Sequence, residues 1–133
     1  MRVLVDTSVW SLAFRRPVVV SAHARELSSL IDEGRAGIMG AVRQEILSGV
    51  RTPEQFERLR ARLAAFPDVD VAQAEYETAA RFCNRCRRQG IQGSHTDFLI
   101  CAVSSHHKMA VLTTDADFDR YARVLAFALH QPR

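Results

Sequence analysis

Short apolar runs that alternate with helical segments most limit the folds open to this chain. Residues 2–5 read Arg-Val-Leu-Val and predict a short buried strand, and residues 38–39 and 110–113 predict two more. Residues 69–71 are a candidate fourth strand, and residues 124–129 are a candidate edge strand. Because helical segments separate these runs, the strands are expected to pair mainly in parallel. The sequence therefore predicts an α/β fold with a central sheet of four to five short strands flanked by helices.

Helix signals divide the rest of the chain. Ser21, Thr52 and Ser94 are predicted N-caps, because a Ser or Thr hydroxyl can accept a hydrogen bond from a backbone N–H of the first turn. Pro53 suits a first helical turn, and Gly34, Gly49 and Gly90 are predicted stops. Besides the helices that Ser21 and Ser94 begin, predicted helices cover residues 7–14, 41–48, 53–65, 72–89 and 117–123.

Length and composition predict one globular domain over residues 1–133. The chain has 133 residues and is 47% hydrophobic, which is enough for a sizeable core. No apolar stretch reaches the ~18 residues of a membrane span. An acid at position 6 interrupts any signal-peptide core, so we expect a cytoplasmic protein that is not associated with a membrane.

The charge balance favours a partner that is a polyanion. The net charge is +3, and seventeen of the 18 basic residues are arginine, whose planar fork suits phosphate. Three cysteines are an odd number, so a disulfide framework is not expected. Cys83 and Cys86 form a C-x-x-C pair inside a predicted helix. With no second pair, they are interpreted as small buried hydrophobic residues rather than zinc ligands.

Four acids stand at unusual places in this pattern. Asp6 ends the first predicted strand, and Asp115 follows a later one. The carboxyl ends of parallel strands meet at one edge of a sheet, where open α/β folds bind ligands. Asp97 lies in the first turn of an otherwise apolar helix, and Glu45 has small neighbours along its own helix. All four are expected to converge on that edge.

Gathered carboxylates repel one another, and a divalent cation relieves the repulsion. Oxygen ligands without clustered His or Cys select Mg²⁺ or Mn²⁺, and a phosphodiester is the natural substrate of such a site. Each acid also has an ordinary interpretation. Asp6 and Asp97 can favour helix N-termini, Glu45 can be a solvated helix residue, and Asp117 and Asp119 can be surface acids. For Asp119 the surface interpretation is preferred. The joint pattern, rather than any single position, favours the metal site.

Four strings in order carry a family resemblance: VLVDTSVW at 3–10, RQEILSG at 43–49, HTDFLICAVS at 95–104 and VLTTDADF at 111–118. The sequence resembles the PIN-domain ribonucleases over nearly its whole length, and most closely the VapC toxins of bacterial toxin–antitoxin pairs. One departure is Cys101, where the family helix usually has Ala. The resemblance implies catalytic acids and supporting groups at these positions: Asp6, Glu45, Asp97 and Asp115 as acids, Asp117 as a further metal ligand, and Ser8 and Thr113 as hydroxyls.

The resemblance also implies an activity. It is a Mg²⁺- or Mn²⁺-dependent endoribonuclease, in which a metal-activated water leaves 5′-phosphate and 3′-hydroxyl ends. Family members commonly form homodimers and act on RNA, tRNA included. A cognate VapB-like antitoxin silences them by covering the acidic cleft. Arg15, Arg43 and His95 are candidate contacts to RNA.

The sequence leaves two other functions open. An aspartyl phosphotransferase would use Asp6 as its nucleophile, but such enzymes need a second Asp two residues later, where this chain has Ser8. They also need a catalytic Lys, and Lys108 is the single lysine. The other alternative is a catalytically inactive PIN-fold module that binds RNA or protein, and the retained acids argue against it.

Overall fold

A parallel three-stranded sheet lies at the centre of the chain. The computed structural model describes residues 1–14 and 20–133. Strand β1 is Val3–Val5, β2 is Ala36–Gly37 and β3 is Ala110–Leu112, in the order β2-β1-β3. Both ladders are parallel, as the separation of the strands by helices predicts. The parallel sheet confirms the predicted α/β class. Strand β1 is its central strand.

Seven helices surround this sheet within the described residues. They are α1 (Thr7–Phe14), α2 (Ala22–Asp32), α3 (Gly40–Ser48), α4 (Pro53–Leu63), α5 (Gln73–Arg88), α6 (His95–His107) and α7 (Asp117–Val124). The three predicted N-caps are confirmed: Ser21, Thr52 and Ser94 each accept a backbone hydrogen bond from the residue three positions later. Gly34 and Gly90 follow α2 and α5 with φ of 69° and 75°, a conformation in which glycine avoids the strain of a Cβ atom.

Two of the predicted strands are reduced to single bridges. Asp68 makes one parallel bridge to Ile38, and Leu129 makes one to Val111, so neither segment forms a ladder. The strand predicted at residues 38–39 instead lies at Ala36–Gly37. The apolar residues of these segments serve burial more than strand pairing, which is why their hydrophobicity suggested longer strands. Within residues 1–14 and 20–133 the sheet therefore has three strands, close to the four to five that were predicted.

The core forms around β1 and α6. All three residues of β1 are at most 2% exposed, and Trp10 of α1 is fully buried with its indole N–H donating to the Val5 carbonyl at 3.1 Å. Helix α6 is buried over seven consecutive residues, Phe98 to Ser104. The N-terminal end of this central helix carries Asp97, so the packing of α6 fixes the position of that carboxylate.

The cysteines are buried or partly buried, as predicted for small hydrophobic residues. Cys86 and Cys101 are buried, Cys83 is partly buried, and all three are free thiols. Burial raises the pKa of the Cys86 and Cys101 thiols, which keeps them protonated. In the part of the chain that the structure describes, no helix is both long and apolar enough to cross a membrane.

A buried carboxylate fastens the last described segment to α2. Glu26 is 4% exposed, and it accepts hydrogen bonds from His130 at 2.5 Å and from Arg133 at 3.0 and 3.1 Å. Burial alone would raise the pKa of Glu26, but the hydrogen bonds and charges of His130 and Arg133 hold it below its usual value of 4.5. The contacts of Glu26 with His130 and Arg133 therefore stabilise the fold while Glu26 is ionised.

Replacing His130 by Ala is expected to lower the free energy of unfolding by about 1 kcal/mol, because Glu26 then loses one of its two partners. The effect should shrink as the pH falls through the lowered pKa of Glu26, since the protonated acid no longer needs a cation. Urea denaturation at neutral and acid pH measures both. The control is His95→Ala, which changes an exposed histidine and should leave the stability unaltered.

Candidate active site

Parallel pairing brings the first and last strands together at their carboxyl ends. Val5 of β1 is in register with Leu112 of β3, so the residues that follow, Asp6 and Thr113, become neighbours. The Asp6 amide donates to the Leu112 carbonyl at 2.9 Å, which extends the pairing by one residue. Asp6 is only 6% exposed. The predicted placement of an acid at the sheet edge is therefore observed.

Two hydroxyls hold the Asp6 carboxylate. Ser8 Oγ and Thr113 Oγ1 each donate to Asp6 Oδ2 at 2.8 Å. The same two oxygens accept backbone hydrogen bonds, Ser8 from the Thr114 amide and Thr113 from the Asp115 amide, both at 3.0 Å. Each hydroxyl thus orients the carboxylate and ties the ends of β1 and β3 together. This matches the supporting role that the sequence predicted for Ser8 and Thr113.

Asp97 approaches the same edge from the start of α6. The Ser94 hydroxyl accepts from the Asp97 amide at 3.1 Å, and the Tyr121 hydroxyl donates to Asp97 Oδ2 at 2.7 Å. Burial raises the pKa of Asp97, and the negative charges of Asp6 and Asp115 raise it further, while the bonds from Tyr121 and Ser94 partly oppose the shift. Asp6 and Asp115 are therefore both near enough to Asp97 for their charges to act on it.

Asp115 and Asp117 lie where β3 passes into α7. Asp115 is exposed, and its Oδ1 accepts from the Asp117 amide at 2.9 Å. Asp117 forms an ion pair with Arg120 one turn along α7. Asp119 is exposed on the same helix. Asp115 therefore has no cation paired with it among the described residues, whereas Asp117 would have to leave Arg120 to serve as a ligand.

Glu45 reaches the site through Thr7. The Thr7 hydroxyl donates to Glu45 Oε1 at 2.9 Å, and Thr7 directly follows Asp6 in the chain. Helix α3 thereby brings a fourth carboxylate to the rim, where Glu45 is exposed. Asp6 and Asp115 thus lie at the ends of paired strands, Asp97 is close enough to feel the charges of both, and Glu45 is hydrogen-bonded to the residue that follows Asp6.

Residues 3–124 match the PIN domain family. The chain belongs to the PIN-domain family. It is 32% identical over 126 residues to a VapC ribonuclease of Mycobacterium bovis and to ribonuclease VapC11 of Mycobacterium tuberculosis, and the alignments cover 92% of each chain. The family resemblance that the sequence motifs suggested is therefore confirmed.

Solved structures share the fold of this PIN domain. The TM-score is 0.77 to FitAcB from Neisseria gonorrhoeae at 21% identity, covering 98% of this chain and 97% of that one. It is 0.78 to VapBC2 from Rickettsia felis bound to a promoter DNA fragment, at 16% identity and 98% coverage of both chains. At these identities the likeness establishes the fold.

Two side chains of this site were missed by sequence reasoning. Tyr121 orients Asp97, and Thr7 orients Glu45. The signal for Tyr121 was available, because a tyrosine on the buried stripe of an amphipathic helix needs a hydrogen-bond partner for its hydroxyl. Phe118 and Tyr121 form that stripe in α7. For Thr7, a hydroxyl beside Asp6 gave no hint of a contact 38 positions away.

The structure describes two of the three predicted RNA-contact residues, and it does not bring them together at the acidic edge. Arg43 donates to the Asp68 carboxylate at 2.9 Å, and also to the carbonyls of Leu63 and Phe66, so its guanidinium joins α3 to the end of α4. That is a structural contact, whereas a residue that binds phosphate is expected to have an unpaired guanidinium.

His95 lies two residues from Asp97, and residues at this spacing face different sides of a helix. It lines a groove between α5 and α6 instead. Arg15 lies outside the described residues.

The carboxylates fit a divalent cation by their chemistry. They offer only oxygen donors, which hard cations such as Mg²⁺ and Mn²⁺ prefer. Burial is the main cause of the raised pKa of Asp97, and the negative charges of Asp6 and Asp115 add to it; a bound cation would offset both. Within residues 1–14 and 20–133, no three Asp, Glu, His or Cys side chains are already gathered closely enough to hold one ion. The carboxylates of Asp6, Asp97 and Glu45 accept hydrogen bonds from neighbouring hydroxyls.

Proposed function

We propose that this PIN domain is a metal-dependent endoribonuclease, the toxin of a toxin–antitoxin pair. One observation carries the proposal: Asp6 and Asp115 follow the carboxyl ends of the paired strands β1 and β3, and both act on the charge of Asp97. Glu45 is hydrogen-bonded to Thr7, beside Asp6. Support comes from relatives that are named as VapC ribonucleases and from fold neighbours solved as toxin–antitoxin complexes. We place its action in the cytoplasm, as a homodimer that a VapB-like antitoxin inhibits by covering the acidic edge.

Asp6, Asp97 and Asp115 would hold Mg²⁺ or Mn²⁺, with Asp117 as a further ligand. When bound, the ion activates water and neutralises charge on the scissile phosphate. Ser8 and Thr113 keep Asp6 in one orientation, and Tyr121 does the same for Asp97. Pre-oriented ligands lower the cost of assembling the site at each turnover. Glu45, exposed and held on one oxygen by Thr7, is positioned at the rim to accept a proton from water.

The aspartyl phosphotransferase is disfavoured by the position of Lys108. Asp97 lies in the first turn of α6, the end near Asp6, and Lys108 caps the other end, so about 16 Å of helix axis separates Lys108 from Asp97 at 1.5 Å per residue. Ser8 occupies the position of the second Asp and instead donates to Asp6. The nuclease requires neither a lysine nor a second acid at that place.

The test uses the purified protein, a structured RNA and Mn²⁺ or Mg²⁺. We expect cleavage products with 5′-phosphate and 3′-hydroxyl ends, and complete loss of cleavage when EDTA removes the metal. Asp115→Asn protein purified in parallel guards against a contaminating nuclease. Cleavage that persists in EDTA, or ends with a cyclic phosphate, would contradict the proposal. Calorimetric titration with Mn²⁺ separates an inactive binding module, which takes up no metal through these acids.

A further inference from the structure

An arginine-lined pocket lies at the far ends of the two helices that lead away from the acidic edge. The pocket measures about 360 Å³. Its basic side chains are Arg51, Arg58 and Arg62, and Phe14 and Leu59 form part of its wall. We propose that this arginine pocket binds a backbone phosphate of the RNA substrate, one or two nucleotides from the bond that is cut. The inference rests on the proposed function and adds a contact that holds the substrate.

The pocket stands at a fixed distance from the acids. Thr7, which bonds Glu45, begins α1, and Phe14 ends it about 10 Å further along the helix axis. Gly49, which also lines the pocket, follows Glu45 by four residues, about 6 Å along α3. An RNA strand that lies across the carboxylates therefore reaches the pocket with a neighbouring phosphate.

Among the described residues, no carboxylate neutralises the charges in the pocket. Arg35, Arg43, Arg60, Arg120 and Arg133 each form an ion pair with a carboxylate. Across residues 1–14 and 20–133, no such pair involves the three arginines of the pocket, and no acid lines it. Arg58 and Arg62 lie four apart on α4, where like charges repel. A bound anion would relieve that repulsion.

Phosphate is the anion that the surroundings favour. The guanidinium fork matches two phosphate oxygens, and three forks in one concave site match the charge of a phosphodiester strand. The acidic edge by itself repels RNA, so attraction is needed close beside it. Arg62 also lies 4.4 Å from the Phe14 ring centroid and donates to the Phe14 carbonyl at 3.4 Å, which steadies its guanidinium at the pocket wall.

The test compares the Arg58→Gln/Arg62→Gln double variant with wild type and with Arg60→Gln. Arg60 lies between them on α4 but pairs with Glu57, so it is a matched control of the same residue type. Arg51→Gln is a second test variant, because Arg51 has no hydrogen bond or ion pair among the described residues and its loss leaves the fold intact. Circular dichroism and thermal melting establish that each variant is folded.

The first measurement is fluorescence anisotropy in EDTA, with a labelled oligoribonucleotide of about 12 nucleotides at several salt concentrations. The double variant should bind about 10-fold more weakly, and the slope of log K against log salt should fall by about 1, as expected for one or two lost phosphate contacts. Arg51→Gln should move both quantities in the same direction, and Arg60→Gln should match wild type. Equal slopes and affinities for wild type and double variant, or no salt-dependent RNA binding by wild type, would overturn the inference.

The second measurement is cleavage in Mn²⁺ of the same RNA and of a dinucleotide, whose single phosphodiester is the bond that is cut and which therefore offers the pocket no second phosphate. The double variant should lose more kcat/KM on the long substrate than on the short one, whereas an equal loss on both would indicate damage to the acidic edge and overturn the inference. If wild type cleaves neither RNA, the proposed function is wrong. The anisotropy measurement in EDTA still tests whether the pocket binds RNA, because it does not depend on cleavage. If a poly-glutamate peptide binds wild type but not the double variant, and RNA binding is unaffected, the pocket recognises a protein carboxylate and the RNA assignment is wrong.

Discussion

Replacing Asp97 by Asn should reduce RNA cleavage by roughly 10²–10³-fold, the loss that follows removal of one preorganised electrostatic group. The Asn side chain is nearly isosteric and can still accept the hydrogen bond from Tyr121, so the fold should be preserved. The lost negative charge, rather than a lost shape, then accounts for the effect. Single-turnover cleavage at saturating Mn²⁺ measures it.

The same substitution should stabilise the metal-free protein. The pKa of Asp97 is raised above 3.8 by burial and by Asp6 and Asp115, so ionisation is harder in the folded state than in the unfolded one. The favourable contribution of the protonated acid is present at low pH and is lost as the pH rises through the raised pKa. At neutral pH, Asp97→Asn removes this penalty, and its Tm in EDTA should exceed that of wild type.

Asp119→Asn is the matched control, since it removes one negative charge from an exposed position on α7. It should change neither cleavage nor Tm appreciably. An Asp97→Asn protein that cleaves at the wild-type rate would falsify the assignment of Asp97 to the site. A variant that loses activity but is less stable than wild type would contradict the cost of ionising Asp97, which comes first from its burial and then from Asp6 and Asp115.

Gly93→Ala should lower the free energy of unfolding by about 2–3 kcal/mol through overpacking. A Cβ atom at Gly93 would lie 2.3 Å from the Tyr121 hydroxyl oxygen, 2.8 Å from Tyr121 Cζ and 3.0 Å from Phe98 Cζ. The ring of Tyr121 has to move, and its hydroxyl then no longer orients Asp97. Cleavage should therefore fall together with stability, as measured by urea denaturation and by kcat.

A double-mutant cycle isolates the cause. Tyr121→Phe removes the closest atom, so Gly93→Ala should cost less in that background than in wild type. Gly90→Ala is the contrasting control. Gly90 has φ of 75° but nothing within 4 Å of an added Cβ, so it should lose about 1 kcal/mol through backbone strain without affecting cleavage. Equal costs of Gly93→Ala in both backgrounds would show that Tyr121 is not the obstacle.

The acids of the site were predictable because parallel strands bring their carboxyl ends together. Asp6 and Asp115 follow buried strands, and the alternation of strands and helices was enough to place both at one edge. The orientation of the carboxylates was not predictable in the same way. It depends on hydroxyls from other elements, and the contact of Thr7 with Glu45 exists only once α1 packs on α3.

The limits of strands were the weaker part of the prediction. Hydrophobic runs report burial, and burial does not require a ladder. Leu125 is 4% exposed yet pairs with no strand, while Leu129 contributes one bridge. Arg43 shows a related difficulty. A basic residue beside an acidic motif suggests a contact to the substrate. In the folded chain, however, the Arg43 guanidinium donates to two backbone carbonyls at and just after the end of α4, and nothing in the sequence indicated that contact.

The hydrogen bond from Thr113 to Asp6 joins residues 107 positions apart. Synthesis delivers the first of these partners early and the second almost at the end. A growing polypeptide on the ribosome accordingly carries the acid of β1 without the hydroxyl that orients it, and without Asp115. If the proposed cleavage requires this arrangement, it has to wait until β3 has emerged and docked beside β1.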